Sequence, residues 1–288
     1  SGGAAPFSLM TYAATVHMSG GIYNAVNSGH MPPWPPDPKY RELAHQRVLS
    51  ESDKQALLNW ASNGTPAGNL ANAPTPPSYT VGAVIANPDW QTRIPMYSPN
   101  TNSDVYRCFP VRSGFSVDKF ITSFEVIPGN GSIVHHVLVY QDLSNTCFDL
   151  DAQDPEPGYT SFGGIGSNSA KLIGAWVPGS QVFTTPAGMG IKLDANTNIV
   201  LQIHYAPNSR GQNDSTQVRI KLSSQTNLRN VSINPILNHV ISLTNGPLVI
   251  PANTVKTFNS RFTMPADVTL LNVGPHMHLI GKSIKAWG

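Results

Sequence analysis

The chain has 288 residues, of which only 12% are charged, with 25 prolines, 24 glycines and a formal net charge of +2. Soluble domains usually carry about 25% charged residues, and the few charges here form no Lys/Arg cluster, which argues against nucleic acid or an acidic membrane as a partner. Coiled coils and helix bundles are equally disfavoured, and no apolar run approaches the roughly 18 residues that a membrane-spanning helix needs.

At roughly 150 residues per domain, the length suits about two domains. The N-terminal part is weakly helical. Residues 7–18 carry a stripe of Leu9, Ala13 and Val16, and Gly20-Gly21 is expected to stop it. Residues 29–38 hold a proline run that fits neither helix nor central strand and predicts a stiff extended loop. A second helix is better marked: Ser50-Glu51-Ser52-Asp53 resembles a capping box, Ala56, Leu57 and Trp60 share a face, and Asn63-Gly64 supplies a left-handed stop. A Pro-rich linker at 73–88 closes this small helical unit, 1–72.

Beyond the linker the apolar period changes to two. Strands are predicted over 120–128, 132–140, 198–206, 217–222, 240–243, 257–264 and 268–273, divided by Gly, Asn, Pro and Asp clusters. Strands at this spacing predict a mainly β fold, a sandwich or jelly roll. A break near 226–234 divides one sandwich, 89–225, from a segment 226–288 that is short for another, since such a domain takes about 100 residues.

Cys108 and Cys147 are too few for a disulfide scaffold or a zinc ribbon. A bridge between them would close a loop of about 40 residues and contribute roughly 4 kcal/mol in the chain-entropy model. Two separate buried thiols are the alternative. Neither has a local basic partner to activate it.

Five of the nine histidines lie in strand-like sequence. His276-Met277-His278 places two imidazoles on one strand face about 6.7 Å apart, a spacing that suits a single metal ion. His204 alternates with Val200 and Gln202 on one face, opposite Ile199, Leu201, Ile203 and Tyr205. His135-His136 lies in the apolar run 133–140, where burying a polar pair without partners is costly. Adjacent residues of a regular strand point to opposite faces, so both reach one ion only at a strand end or a bulge. His17, His30, His45 and His239 lack such spacing and are read as structural. No carboxylate flanks the five at chelating distance, which disfavours calcium and the two-histidine, one-carboxylate iron site. Nitrogen ligation leaves copper or zinc.

The segments Val134-His135-His136-Val137, Leu201-Gln202-Ile203-His204-Tyr205 and 275–282, with His276 and His278, resemble in order and approximate spacing the copper type II, ascorbate-dependent monooxygenases, from about residue 89 to 288. The resemblance implies that His135, His136 and His204 hold an electron-transfer copper. It also implies that His276 and His278 supply two of three ligands of the copper that meets O2 and substrate, the third being a Met that none of the seven here can be assigned. It further implies a disulfide from Cys108 to Cys147, a small-molecule or peptide substrate, and an electron donor such as ascorbate. A periplasmic or secreted location follows from the same likeness. Residues 2–9, 29–34 and 59–64 resemble a small cytochrome c-like domain, which implies haem c with Met31 as axial ligand and a Cys-x-x-Cys-His motif ahead of Ser1. Residues 226–288 are then expected to open a second copper sandwich. A copper electron-transfer or storage protein without hydroxylase activity, and a structural β-sandwich binding module, are the alternative readings.

Overall fold

The computed structural model describes residues 7–33, 36–43, 46–75, 83–235, 242–277 and 280–288. The chain divides into two units, 1–232 and 233–288.

The first unit begins with helices α1 (Tyr12–His17), α2 (Ser19–Asn27) and α3 (Glu51–Ser62). Gly20-Gly21 does not end a helix, contrary to expectation. Both lie inside α2, and the chain turns instead at Gly29, whose φ is +73°. A glycine within a helix costs about 1 kcal/mol relative to alanine, too little to break one that packs on a neighbour. The start of α3 follows its sequence signal, with Ser50 Oγ accepting the Asp53 N–H at 3.1 Å and Gly64 left-handed after the last turn. Val26 is the buried residue of α2 and Leu58 that of α3. A cytochrome c-like arrangement is not evident in these helices, for such a domain needs a larger apolar interior than these two contacts supply. Met31 is 46% exposed.

The strands follow as β1 (Trp90–Arg93), β2 (Val105–Arg112), β3 (Lys119–Ile127) and β4 (Val134–Asp142). After helix α4 (Thr146–Gln153) come β5 (Tyr159–Thr160), β6 (Lys171–Trp176), β7 (Phe183–Thr184) and β8 (Met189–Leu193). The last are β9 (Asn198–Tyr205), β10 (Gln217–Leu222) and β11 (Arg229–Asn230). One sheet runs β1-β10-β3-β8-β11 with β7 attached to β3, and the other runs β5-β2-β9-β4-β6. Alternate residues of the two sheets meet in one core: Ile121, Phe124, Leu193 and Ile220 from the first, Phe109, Val137, Ile199, Leu201 and Ile203 from the second. This is the two-sheet sandwich that the period-two pattern predicts.

The central strand β9 is buried along its whole length. Its inward residues enter the main core, while outward-facing Val200 joins Cys108, Cys147, Tyr159 and Ile165 in a second cluster on the outer face of the five-stranded sheet. Near its start, strand β2 carries the buried Arg107, which pairs with the partly exposed Asp154. Arg107 makes a fork to both oxygens of Asp154 at 2.8 Å and stacks its guanidinium on Tyr97.

In the second unit, the strands expected over 257–264 and 268–273 do not form. Leu243 and Ser260 make an isolated antiparallel bridge, and Phe262, Leu270 and Val273 are at least half exposed. Strand pairing needs both a partner backbone and a cover for the apolar face, and alternation in the sequence supplies neither.

Candidate metal centre

Three histidines converge on the outer face of the five-stranded sheet. His204 stands near the end of β9, and its register partners are His136 on β4 and Tyr106 on β2. Between Val134 and His136 the pairing of β4 with β9 slips by one residue, which makes His135 the extra residue of a bulge. That bulge resolves the conflict between adjacent positions and a common face, and it falls at the first residues of β4. Upstream, Asp214 secures the turn that leads into it. The Asn130 N–H donates to Asp214 Oδ1 at 2.9 Å, and the Tyr205 hydroxyl donates to Oδ2 at 2.9 Å.

The convergent atoms are the three Nδ1 nitrogens. They lie 3.2 Å apart for His135 and His136, 3.2 Å for His204 and His135, and 3.4 Å for His204 and His136. Four-coordinate sites with metal–nitrogen bonds of about 2.0 Å have ligand atoms about 3.3 Å apart. The triangle therefore has the dimensions of three corners of such a site, and its all-imidazole donor set suits copper or zinc better than calcium or magnesium. Burial across the three is graded: His204 is buried, His136 intermediate and His135 exposed.

His204 is held from two further sides. Its Nε2 lies 2.6 Å from Asp104 Oδ1, and the ring of Tyr106 stacks on it with centroids 4.2 Å apart and planes 6° from parallel. Burial draws the His204 pKa below its ordinary value and His135 pulls the same way, against the opposing effect of Asp104. The neutral form that can ligate is thereby favoured. Tyr106 in turn meets the edge of Phe162 at 4.9 Å, and Phe162 is 78% exposed. The Phe162 loop is tied down by Gln202, two residues before His204, whose Nε2 donates to Ser161 O at 3.0 Å and Gly164 O at 2.6 Å.

Asp104, Tyr106 and Phe162 have no place in the sequence-level site. Asp104, Tyr106 and Cys108 alternate, so a common face was legible. The register that sets them opposite His204 was not.

The bridge between Cys108 and Cys147 is absent: both are free and buried. Cys147 lies in the first turn of helix α4. From there the thiol donates to Asp142 Oδ2 at 3.6 Å and Ile165 O at 3.5 Å, while Cys108 Sγ accepts from Gln202 Nε2 at 3.8 Å. Burial pushes the Cys108 thiol up to about 12 and the Cys147 thiol up to about 11, so neither is a nucleophile at neutral pH. Both thiols belong to the cluster that covers the outer face below the histidines.

The second predicted pair falls only partly within the described residues. His276 is exposed and outside any strand, and His278 lies outside the described residues. His45, His239 and Trp34 also lie outside them.

Together these features define a two-sheet β-sandwich carrying a three-histidine site of metal-binding dimensions on one sheet. Residues 90–212 match the family described as copper type II ascorbate-dependent monooxygenase, N-terminal domain. The match supports that family and includes His135, His136 and His204 but neither His276 nor His278. No curated protein matches the chain. Among the described residues, no helix is long and apolar enough to cross a membrane.

Proposed function

We propose that the chain is a copper-dependent monooxygenase that hydroxylates a substrate C–H bond with O2 and an external electron donor, ascorbate or electrons delivered by a haem. The observation that carries this reading is the Nδ1 triangle of His135, His136 and His204, inside a segment that matches the family's N-terminal domain. In this reading those three residues hold the electron-transfer copper, and His276 and His278 supply two ligands to the copper that meets O2. When bound, copper supplies one-electron transfer and oxygen activation. The chain's own contribution is positional. Strand β9 fixes His204, the bulge in β4 turns His135 and His136 to the same point, and the Tyr106 ring covers one side of the site.

The organisation we assign is a helical domain over 1–72, a linker over 73–88, a jelly-roll-type copper domain over 89–225 and part of a second over 226–288. The substrate is a small molecule or peptide. A periplasmic or secreted location rests on the family likeness alone, because the two thiols are unbridged and give no sign of an oxidising compartment.

Metal analysis after anaerobic reconstitution, with oxygen uptake measured in the presence of ascorbate and candidate substrates, tests this reading. Two copper ions in the intact protein and substrate-dependent oxygen uptake are expected. A single tightly held zinc ion with no oxygen uptake overturns it. A second reading, a copper electron-transfer or storage protein, is favoured by one feature: the group of convergent ligands found among the described residues consists of histidines of the matched segment alone. One copper per chain that is reduced and reoxidised without hydroxylating any substrate would select it.

A further inference from the structure

We propose that Asp104 is the positioning residue of the metal centre: it holds His204 in the tautomer that carries its proton on Nε2, leaving the Nδ1 lone pair directed at the point shared with His135 and His136. This inference rests on the metal-binding reading of the three histidines. Its basis is geometric. A neutral imidazole has one N–H and one lone pair, and the two nitrogens of His204 face different partners. A carboxylate accepts but does not donate, so the 2.6 Å contact from Asp104 Oδ1 to Nε2 places the proton on Nε2. The Nδ1 atom faces two other ring nitrogens at 3.2 and 3.4 Å.

Rotation of the ring is restrained as well. A flip about χ2 would put carbon Cδ2 where Nδ1 stands and carbon Cε1 where Nε2 stands, breaking the Asp104 contact and turning the Nδ1 lone pair away from the shared point. The parallel Tyr106 ring keeps the imidazole plane in place, so the carboxylate decides between two states of a ring already confined to one plane. Asp104 immediately precedes β2, so the pairing of β2 with β9 delivers it to His204, with Tyr106 as the direct register partner. It lies outside the core and its side chain is 51% exposed, which leaves its removal open to test in a folded protein. Carboxylates on the remote nitrogen of a metal-bound histidine orient the ring and raise its basicity, and losing one typically lowers metal affinity about 10–100-fold.

The test compares the full chain with Asp104→Ala and Asp104→Glu. In metal-free protein at pH 8, nitrogen-15 NMR of the histidine rings reads the tautomer directly. The wild type is expected to show His204 with the proton on Nε2, Asp104→Ala a mixture of both tautomers, and Asp104→Glu a return toward the wild-type pattern. Titration with copper(II) against a competing chelator is expected to show affinity about 10–100-fold lower in Asp104→Ala, with its circular dichroism unchanged. Equal copper affinity and an unchanged tautomer in Asp104→Ala overturn the inference while leaving the metal site standing. Failure of the wild type to take up copper overturns the metal-binding reading itself.

Discussion

The sandwich and residues 233–288 are written in similar sequence, with apolar residues alternating against polar ones, yet they end in opposite states. Leu201, Ile203 and Ile220 are fully buried, whereas Val255 is 91% and Leu270 60% exposed. In the sandwich each apolar face meets a second sheet, and even the outer face of the five-stranded sheet is covered by α4 and the 159–167 loop. In 233–288 the described residues supply no such cover. Alternation therefore specifies which residues share a face, and burial depends on what the rest of the chain brings to it.

The largest test of this contrast is truncation of an inward residue of β9. Leu201→Ala is expected to cost about 2–5 kcal/mol, read as a lower urea midpoint, while Leu270→Ala is expected to change stability by no more than about 0.5 kcal/mol. Equal losses at the two positions would show that 233–288 is packed as tightly as the sandwich. Next comes Gly174→Ala, which probes how closely the sheets approach. A Cβ on Gly174 of β6 would lie 2.6 Å from the Phe124 ring of the facing sheet, and the forced displacement is expected to cost about 1–3 kcal/mol.

The outer face of the sheet offers a polar counterpart. Asp142 closes β4 fully buried, and its carboxylate accepts hydrogen bonds from Ser144 at 2.8 Å, from Ser167 at 2.6 Å and from Ser169. Burial alone would raise its pKa, but the three hydroxyls outweigh it and hold the carboxyl below its ordinary value. A carboxylate whose pKa is depressed by folding stabilises the native state above its unfolded pKa of about 3.9, and the contribution disappears as pH falls through the lower native value. Wild-type stability is thus expected to fall on acidification below about pH 4. Asp142→Asn is expected to lose about 1–3 kcal/mol at neutral pH and to flatten that acid limb, as measured by denaturant unfolding at several pH values. An acid limb of unchanged steepness would place the titration elsewhere.

Strands β3, β4, β9 and β10 were legible in the sequence because their faces differ so strongly, and they fall within a residue or two of the predicted ranges, whereas β2, β6 and β8 have no predicted counterpart. The three histidines were legible for the same reason, down to the need for a strand end or bulge at His135. Helix α4, the Gly20-Gly21 positions and the pair Asp104 and Tyr106 were not. Helix α4 was missed because the residues 146–153 contain only Cys147 as a buried position, so no amphipathic stripe announces it. Gly20-Gly21 was misread because local propensity is worth only about 1 kcal/mol per glycine. Asp104 and Tyr106 were missed because a role across strands depends on register, which separation along the chain does not reveal.

The smallest expected effect on stability is also the sharpest separation of function from fold. His135 is the bulged residue of β4 and the most exposed of the three histidines, and its ring contacts are made with His136 and His204 rather than with the core. His135→Ala removes one corner of the Nδ1 triangle but no apolar contact of the sandwich. Its urea midpoint is therefore expected to stay within about 0.5 kcal/mol of wild type in the absence of metal. Copper bound by this site in competition with a chelator should nevertheless drop, since two imidazoles cannot close a three-ligand site. His204→Ala, made on a buried strand position beside Tyr106, should lose copper and stability together. If His135→Ala kept its copper, the triangle would not be the metal site; if it lost its stability, the bulge would be holding the sheet together rather than aiming a ligand.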